Sequence, residues 1–394
     1  MDKIEELLTR GVANIIPGKA ELEKLLKSGK KLNVYFGIDP TATKIHLGNA
    51  VPLRKLQKLA ELGHNVTFLI GDFTALVGDT SDKNSERPIL TPEEIEENFK
   101  TYKKQAEKIV DFSKITIRKN SEWLSKLSFK DTIGLMQKFS LNDFISRELI
   151  RKRLDEGKRV RLDETAYPLM QGYDSFFLDT DVQVGGTDQT FNMQAGRTLI
   201  KDLRKGKESF VLTTPILEGP DGRKMSKSYG NAIWLDDNPN DMYAKVMSID
   251  DGQIMNYFRD ATNWSLNKID KEIDSRLKSE NPINVKKELA HTIVKELHDE
   301  SLANEAQEKF EKTVQNKELP RDIEALTINV GDSVTVADNL VKANLVQSRS
   351  EVKRLVEQEG IRVNDKIIDN TNFELKAGDL LKVGKRRVVK ISSK

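Results

Sequence analysis

Within the first 75 residues a strand, a helix and a second strand follow one another with no room for any other arrangement. In "KLNVYFGIDP", Val34, Phe36 and Ile38 alternate on one face until Asp39 and Pro40 stop the run. "HLGNAVPLRKLQKLAELG" then repeats Val51, Leu53, Leu56, Leu59 and Leu62 at helical spacing and ends at Gly63, and "NVTFLIGDF" reads as the second strand. Two strands joined through a helix must run parallel, because a hairpin turn cannot connect them in that sense. The expected fold class is therefore α/β, a Rossmann-like parallel sheet with helices on its faces.

The rest of the chain divides by composition. At 394 residues it exceeds one ordinary core, and two or three domains are expected. Residues 80–163 read as a charged, largely helical insertion, and sheet signals return only at "DVQVGGTDQ" and "FVLTTPIL". The catalytic part is thus expected over 1–232. Amphipathic helices and a linker, "QNKELPRDIEALTINVGDS", follow over 233–325. A small α+β module closes the chain over 326–394, with two short helices, a stop at Gly360, a turn at Asn364–Asp365 and a closing hairpin.

Charge is uneven. From residue 333 onward there are 13 Lys plus Arg against 8 Asp plus Glu, although the whole chain carries a net charge of only +2. That basic surplus marks the terminal module as the part that attracts a polyanion. Absence of cysteine excludes disulfides, thiolate metal sites and cysteine nucleophiles. No apolar run approaches the ~18 residues needed to span a bilayer, and "DKIEELLTRGV" lacks the apolar core of a signal peptide. The expected setting is the cytoplasm, without a membrane partner.

Two short stretches carry the chemistry. In "PTATKIHLGN", His46 and Asn49 stand three apart where a loop enters a helix, so both face the region beyond the helix N-terminus, where free N–H groups favour a phosphate. Gly48 between them leaves room for a flat base or a ribose. In "GPDGRKMSKSYGN", Lys224 and Lys227 lie in a Gly-rich segment suited to a moving loop that meets an anion. His64, His291 and His298 sit in helical contexts without metal-like spacing, and no metal ligand set is expected.

His-x-Gly-Asn after the first strand and Lys-Met-Ser-Lys-Ser after the last resemble the two signatures of class I aminoacyl-tRNA synthetases. "YFGIDPT", "YPLMQGYD" and "VGGTDQ" extend the likeness to the tyrosyl-tRNA synthetase family over nearly the whole chain. The resemblance implies a tyrosine–tRNA ligase that forms tyrosyl-adenylate from tyrosine and ATP, with Mg²⁺ accompanying ATP, and then charges the 3′-terminal adenosine of tRNA(Tyr). It assigns His46, Asn49, Lys224 and Lys227 to catalysis. Tyr35 and Asp174 would meet the substrate phenol, while Asp79, Tyr167 and Gln171 would hold its ammonium group. Asp39, Asp188 and Gln189 would lie near the carboxylate, ribose and adenylate, with Gly37, Thr41, Gly48, Gly186, Met225 and Ser226 also on the nucleotide side.

The terminal module resembles the small RNA-binding fold of a ribosomal protein, with Arg349, Lys353 and Arg354 on its basic face. By the same resemblance the insertion forms a homodimer interface. Its basic run, Arg147, Arg151, Lys152, Arg153, Lys158, Arg159 and Arg161, either meets the acceptor end of the tRNA or forms an ordinary charged face. Asn49 departs from the second His common in relatives and cannot carry a positive charge. Asp72 stands where a small residue is usual. The rivals are a tryptophanyl-tRNA synthetase, against which Tyr35 and Asp174 argue, and a non-catalytic RNA-binding protein, against which His46, Lys224 and Lys227 argue.

Overall fold

In the computed structural model, residues 2–79, 90–312, 324–328, 335–342, 345–346, 348–364, 366–371, 373–376, 378–384 and 387–393 are described. They belong to two compact units, residues 1–307 and 308–394.

The first unit is organised by a six-stranded sheet: β1 (Asn14–Ile16), β2 (Asn33–Ile38), β3 (Asn65–Ile70), β4 (Ile115–Lys119), β5 (Val182–Gly186) and β6 (Phe210–Thr214). Their spatial order is β1-β6-β5-β2-β3-β4, parallel throughout except for the β1–β6 pair. Helices cover both faces. Accordingly Val34, Tyr35 and Phe36 are buried in succession rather than alternately. The helix Leu47–Glu61 carries the chain from β2 to β3 and buries Leu47, Leu53, Leu56 and Leu59.

Two strands correct the sequence expectation. β4 lies inside the segment read as helical insertion. It is an edge strand whose "ITIRK" sequence keeps the half-buried Arg118 and Lys119 at the sheet margin, which blunts the edge and dilutes its apolar signal. β1 has only three residues, too few to show a period.

The other regular elements described within the insertion are helices, the first of them Pro92–Ala106, opened by a Thr91–Glu94 capping box. Arg153 is not part of an exposed basic face. Its guanidinium is 1% exposed, bridges both oxygens of Glu164 at 2.7 and 3.1 Å, and donates to the Arg159 carbonyl at 2.6 Å. Removing one member of such a pair leaves a buried charge unpaired, so Arg153→Ala is expected to destabilise this unit by ~3–5 kcal/mol. Urea unfolding followed by tryptophan fluorescence reads this directly, because Trp123, Trp234 and Trp264 all lie in the first unit.

Beyond β6, helices from Pro239–Met247 to Glu300–Phe310 follow, with Tyr243, Tyr257 and Phe258 fully buried among them. No helix among the described residues is long and apolar enough to cross a membrane.

The second unit holds a five-stranded sheet of β7 (Glu324–Ile328), β8 (Ile361–Val363), β9 (Lys366–Ile367), β10 (Leu380–Val383) and β11 (Arg387–Ser393), in the order β7-β11-β10-β8-β9. The expected hairpin is β10–β11. β7 falls in the stretch read as linker and pairs parallel with β11. Helices Val336–Lys342 and Arg349–Glu357 share a core with the sheet through Leu340, Val352, Ile361 and Leu381. Asn364 takes positive φ at the expected turn; Asp365 lies outside the described residues.

Candidate active site

Strand order reverses between β2 and β5, and at such a switch point the connections leave in opposite directions and open a crevice at the carboxyl ends of the strands. A cavity of about 270 Å³ lies there. It gathers the ends of β2 (Tyr35, Gly37, Asp39), the loop beyond it (Thr41), the following helix entry (His46, Gly48, Asn49) and the end of β5 with its turn (Gly186, Asp188, Gln189). Asp79, three residues of the helix Leu162–Phe177 (Tyr167, Gln171, Asp174), and Lys224, Met225 and Ser226 complete the set.

The deep end is polar and buried. Asp174 is 3% exposed and sits within its helix rather than at an end, so it caps nothing. Trp123 Nε1 donates to its Oδ1 at 2.7 Å and Asn120 Nδ2 to its Oδ2 at 3.2 Å. Both bonds favour the ionised carboxylate, yet burial outweighs them and pushes the pKa up to about 8. Tyr35, next to it, is also buried; loss of water and then the nearby Asp174 raise its phenol above the usual range.

Further out, Gln189 Nε2 donates to Asp79 Oδ2 at 2.7 Å, and Tyr167 and Thr74 hydroxyls donate to Asp39 at 2.8 Å each. A side chain at Gly71 would begin 2.0 Å from Asp39 Oδ1, so glycine is what lets that carboxylate lie against the strand end. Asp72, unexplained by sequence, has a structural job outside the cavity: its two oxygens accept from the N–H and hydroxyl of Ser121, at 2.9 and 2.6 Å, and so position the turn that carries Asn120 and Trp123.

At the mouth, His46 is the N-cap of Leu47–Glu61, and its own N–H donates to Asn49 Oδ1 at 3.2 Å. The His46 Nδ1 atom is buried with no hydrogen-bond partner. Burial, and then Lys224, lower its pKa to about 4, so the ring is neutral at physiological pH. Lys224 Nζ lies 3.1 Å from Asp188 Oδ2. Lys227 does not join it. After Met225 tucks its side chain inward and donates its N–H to the Leu217 carbonyl, the chain turns and leaves Lys227 exposed, outside the cavity.

The chain has relatives of known family. Residues 27–315 match the family model described as tRNA synthetases class I (W and Y), and residues 337–381 match the S4 domain. A tyrosine–tRNA ligase of Carboxydothermus hydrogenoformans is 43% identical, over 98% of this chain and 97% of its own, and one of Dehalococcoides mccartyi is 40% identical, over 99% and 98%. The chain belongs to the tyrosine–tRNA ligase family of class I aminoacyl-tRNA synthetases. Among solved structures, a tyrosyl-tRNA synthetase of Archaeoglobus fulgidus complexed with L-tyrosine has a TM-score of 0.60 at 26% identity, over 78% of this chain and all of that one.

In this synthetase the S4 domain presents Arg349, Lys353 and Arg354 on the exposed side of the helix Arg349–Glu357, while Val352 and Val356 face its core. Of the basic run in the insertion, Arg151 is exposed beside Asp155 at 3.7 Å, whereas Arg147 is half-buried against the Phe191 ring. His64 lies in the turn before β3, not in a helix, and His298 caps the end of Pro282–Leu297. No group of three or more His, Cys, Asp or Glu among the described residues could hold a metal ion.

Sequence reading overlooked the residues that support the polar side chains of the synthetase's cavity, among which Asn120 lines the cavity itself. Asn120 and Trp123 hold Asp174, while Ser175 and Gln183 meet Tyr35. Asn231 accepts from the Ser226 N–H at 2.9 Å and donates to the Lys224 carbonyl at 3.1 Å, which ties down the base of the lysine loop. Of these, only Asn231 belongs to a signature stretch, as the last residue of "GPDGRKMSKSYGN".

Proposed function

We propose that the cavity of this synthetase binds L-tyrosine at its closed end and ATP at its mouth. The observation that carries the reading is Asp174, a carboxylate removed from water at the end of a cavity that opens at the sheet's switch point. A phenolic hydroxyl there gives it a further partner; a phenyl ring does not. Asp79, Tyr167 and Gln171 would hold the ammonium group, and Asp39, Gln189 and Asp188 would face the carboxylate and ribose.

The reaction follows from that placement. A tyrosine carboxylate oxygen attacks the α-phosphorus of ATP, the bond to the bridging oxygen breaks, and pyrophosphate leaves. No general base is needed, because the carboxylate is already ionised. Charge builds on the phosphoryl oxygens and the leaving group, where fixed donors and lysines act most strongly. The neutral ring of His46, the Asn49 amide and Lys224 line the mouth and would serve this role, and Lys227 would arrive by closure of its loop. Gly222 and Gly230, both at positive φ with nothing within 4 Å of an added Cβ, give that segment its freedom. Magnesium would enter as part of the ATP substrate. In the second step a hydroxyl of the terminal adenosine of tRNA(Tyr) attacks the tyrosyl carbonyl, and AMP leaves.

The chain is then read as three working parts: catalysis over 1–232, a helical part with linker over 233–325 and an RNA-binding part over 326–394, in the cytoplasm. Phe129, Leu141 and Leu162, each more than 60% exposed, supply apolar surface for a homodimer through the insertion. A light-scattering mass of one chain across micromolar concentrations would exclude that dimer.

Charging of tRNA(Tyr) with labelled tyrosine tests the whole function, and failure to charge in the presence of ATP would overturn it. Replacing Arg349, Lys353 and Arg354 together by alanine is expected to weaken tRNA binding. The slope of log affinity against log salt should flatten by about 1 for each phosphate that is no longer neutralised. An unchanged slope would remove those residues from the RNA surface.

A further inference from the structure

Behind Tyr35, on the side away from the cavity, lie two buried polar side chains that the reaction does not use. Ser175 is 0% and Gln183 1% exposed. Ser175 Oγ is 2.9 Å from the Tyr35 hydroxyl, Gln183 Oε1 is 3.2 Å from it, and the two are 2.8 Å from each other. The Gln183 amide is oriented, because its Nε2 donates to the Met193 carbonyl at 3.1 Å and leaves Oε1 facing the hydroxyls. Room for the pair is made by Gly196 on the neighbouring helix, where an added Cβ would lie 2.4 Å from Ser175 Oγ and 2.8 Å from Gln183 Oε1.

Three oxygens here share two protons. Gln183 Oε1 can only accept. With Ser175 donating to it, Ser175 Oγ is free to accept from Tyr35, so the Tyr35 proton has a partner inside the protein whether or not the cavity holds a phenol. We propose that Ser175 and Gln183 form an internal rest for the Tyr35 proton, and that they thereby limit how much of the preference for tyrosine over phenylalanine Tyr35 carries. This inference rests on the reading of the cavity as the tyrosine site.

The consequence runs against the usual expectation for a second layer of hydrogen bonds. When phenylalanine enters, Tyr35 turns its proton back to Ser175 and suffers no desolvation penalty; Asp174 cannot turn away and bears it alone. Without the rest, Tyr35 too is stranded by a phenyl ring, while a phenol still accepts its proton. Ser175 and Gln183 are positioning residues, acting only through Tyr35.

Pyrophosphate exchange measured with tyrosine and with phenylalanine tests this. Either oxygen alone can take the Tyr35 proton, from 2.9 Å for Ser175 and 3.2 Å for Gln183, so the decisive variant removes both and leaves only the Gln171 carbonyl at 3.5 Å among the acceptors named here. Ser175→Ala with Gln183→Met is expected to raise the ratio of the two kcat/KM values by about 3- to 10-fold, the worth of one neutral hydrogen bond, through loss on phenylalanine with tyrosine little changed. In a Tyr35→Phe background the same pair of changes should leave the ratio unmoved, which a general packing defect would not do. A ratio that stays constant or falls in the double variant overturns the proposal. Absence of any tyrosine-dependent exchange in the unaltered protein overturns instead the reading of the cavity on which it stands.

Discussion

Lys227→Ala is expected to slow tyrosyl-adenylate formation by about 10²- to 10³-fold, the ~2.7–4 kcal/mol that one donor to a developing negative charge supplies. Tyrosine affinity should be nearly unaffected. Lys227 is exposed and outside the cavity, so in the proposed mechanism it would contribute nothing to the ground state that binds tyrosine and would meet the phosphates only once its loop has closed. Single-turnover formation of adenylate, paired with equilibrium binding of tyrosine, separates these quantities. A variant with a normal rate would mean that Lys224, already beside Asp188, suffices alone. Equal loss of rate and tyrosine affinity would mean that the loop shapes the pocket rather than the transition state.

Asp174→Asn is the second large effect. Above about pH 8, where the Asp174 carboxyl is ionised, losing a hydrogen bond to a charged acceptor costs ~1.5–3 kcal/mol, so kcat/KM for tyrosine should fall about 10- to 150-fold there. The same variant has a pH signature in stability. The folded-state pKa of Asp174 is raised to about 8, from roughly 3.9 in an unfolded chain, so the folded protein holds this proton more tightly. Its contribution to stability is complete below about pH 4 and is lost as pH rises to 8. Asparagine cannot titrate and escapes that loss. Whatever the melting difference at pH 5, it should therefore shift in favour of the variant by pH 8.5, as read by tryptophan fluorescence. A difference independent of pH would show that Asp174 stays ionised in its pocket.

Legibility from sequence followed the length and the periodicity of each element. β2, the helix Leu47–Glu61 and β3 carry long apolar patterns and are plain, and the parallel sheet follows from their order. β1 is too short and β4 too charged to announce itself, and β7 hides in a stretch whose Pro, Asp and Gly read as linker. The two signature stretches are a loop-to-helix entry and a loop, where polar residues stand out, and every residue assigned to tyrosine or nucleotide lines the cavity. Lys227 is the exception among the four residues proposed for catalysis, since spacing in a loop does not say which way a turn will send a side chain. Partners such as Trp123, Asn120, Ser175 and Gln183 are invisible in the sequence for a different reason: they are ordinary-looking residues on separate elements, and only the fold brings them within hydrogen-bond distance of Asp174 and Tyr35.

Activation of tyrosine with ATP in this cavity is tested most directly by exchange of labelled pyrophosphate into ATP, without tRNA, with tyrosine, phenylalanine and tryptophan in parallel. Rapid exchange with tyrosine and little with the other two is the predicted result; exchange led by tryptophan or phenylalanine, or exchange with none of the three, would contradict it.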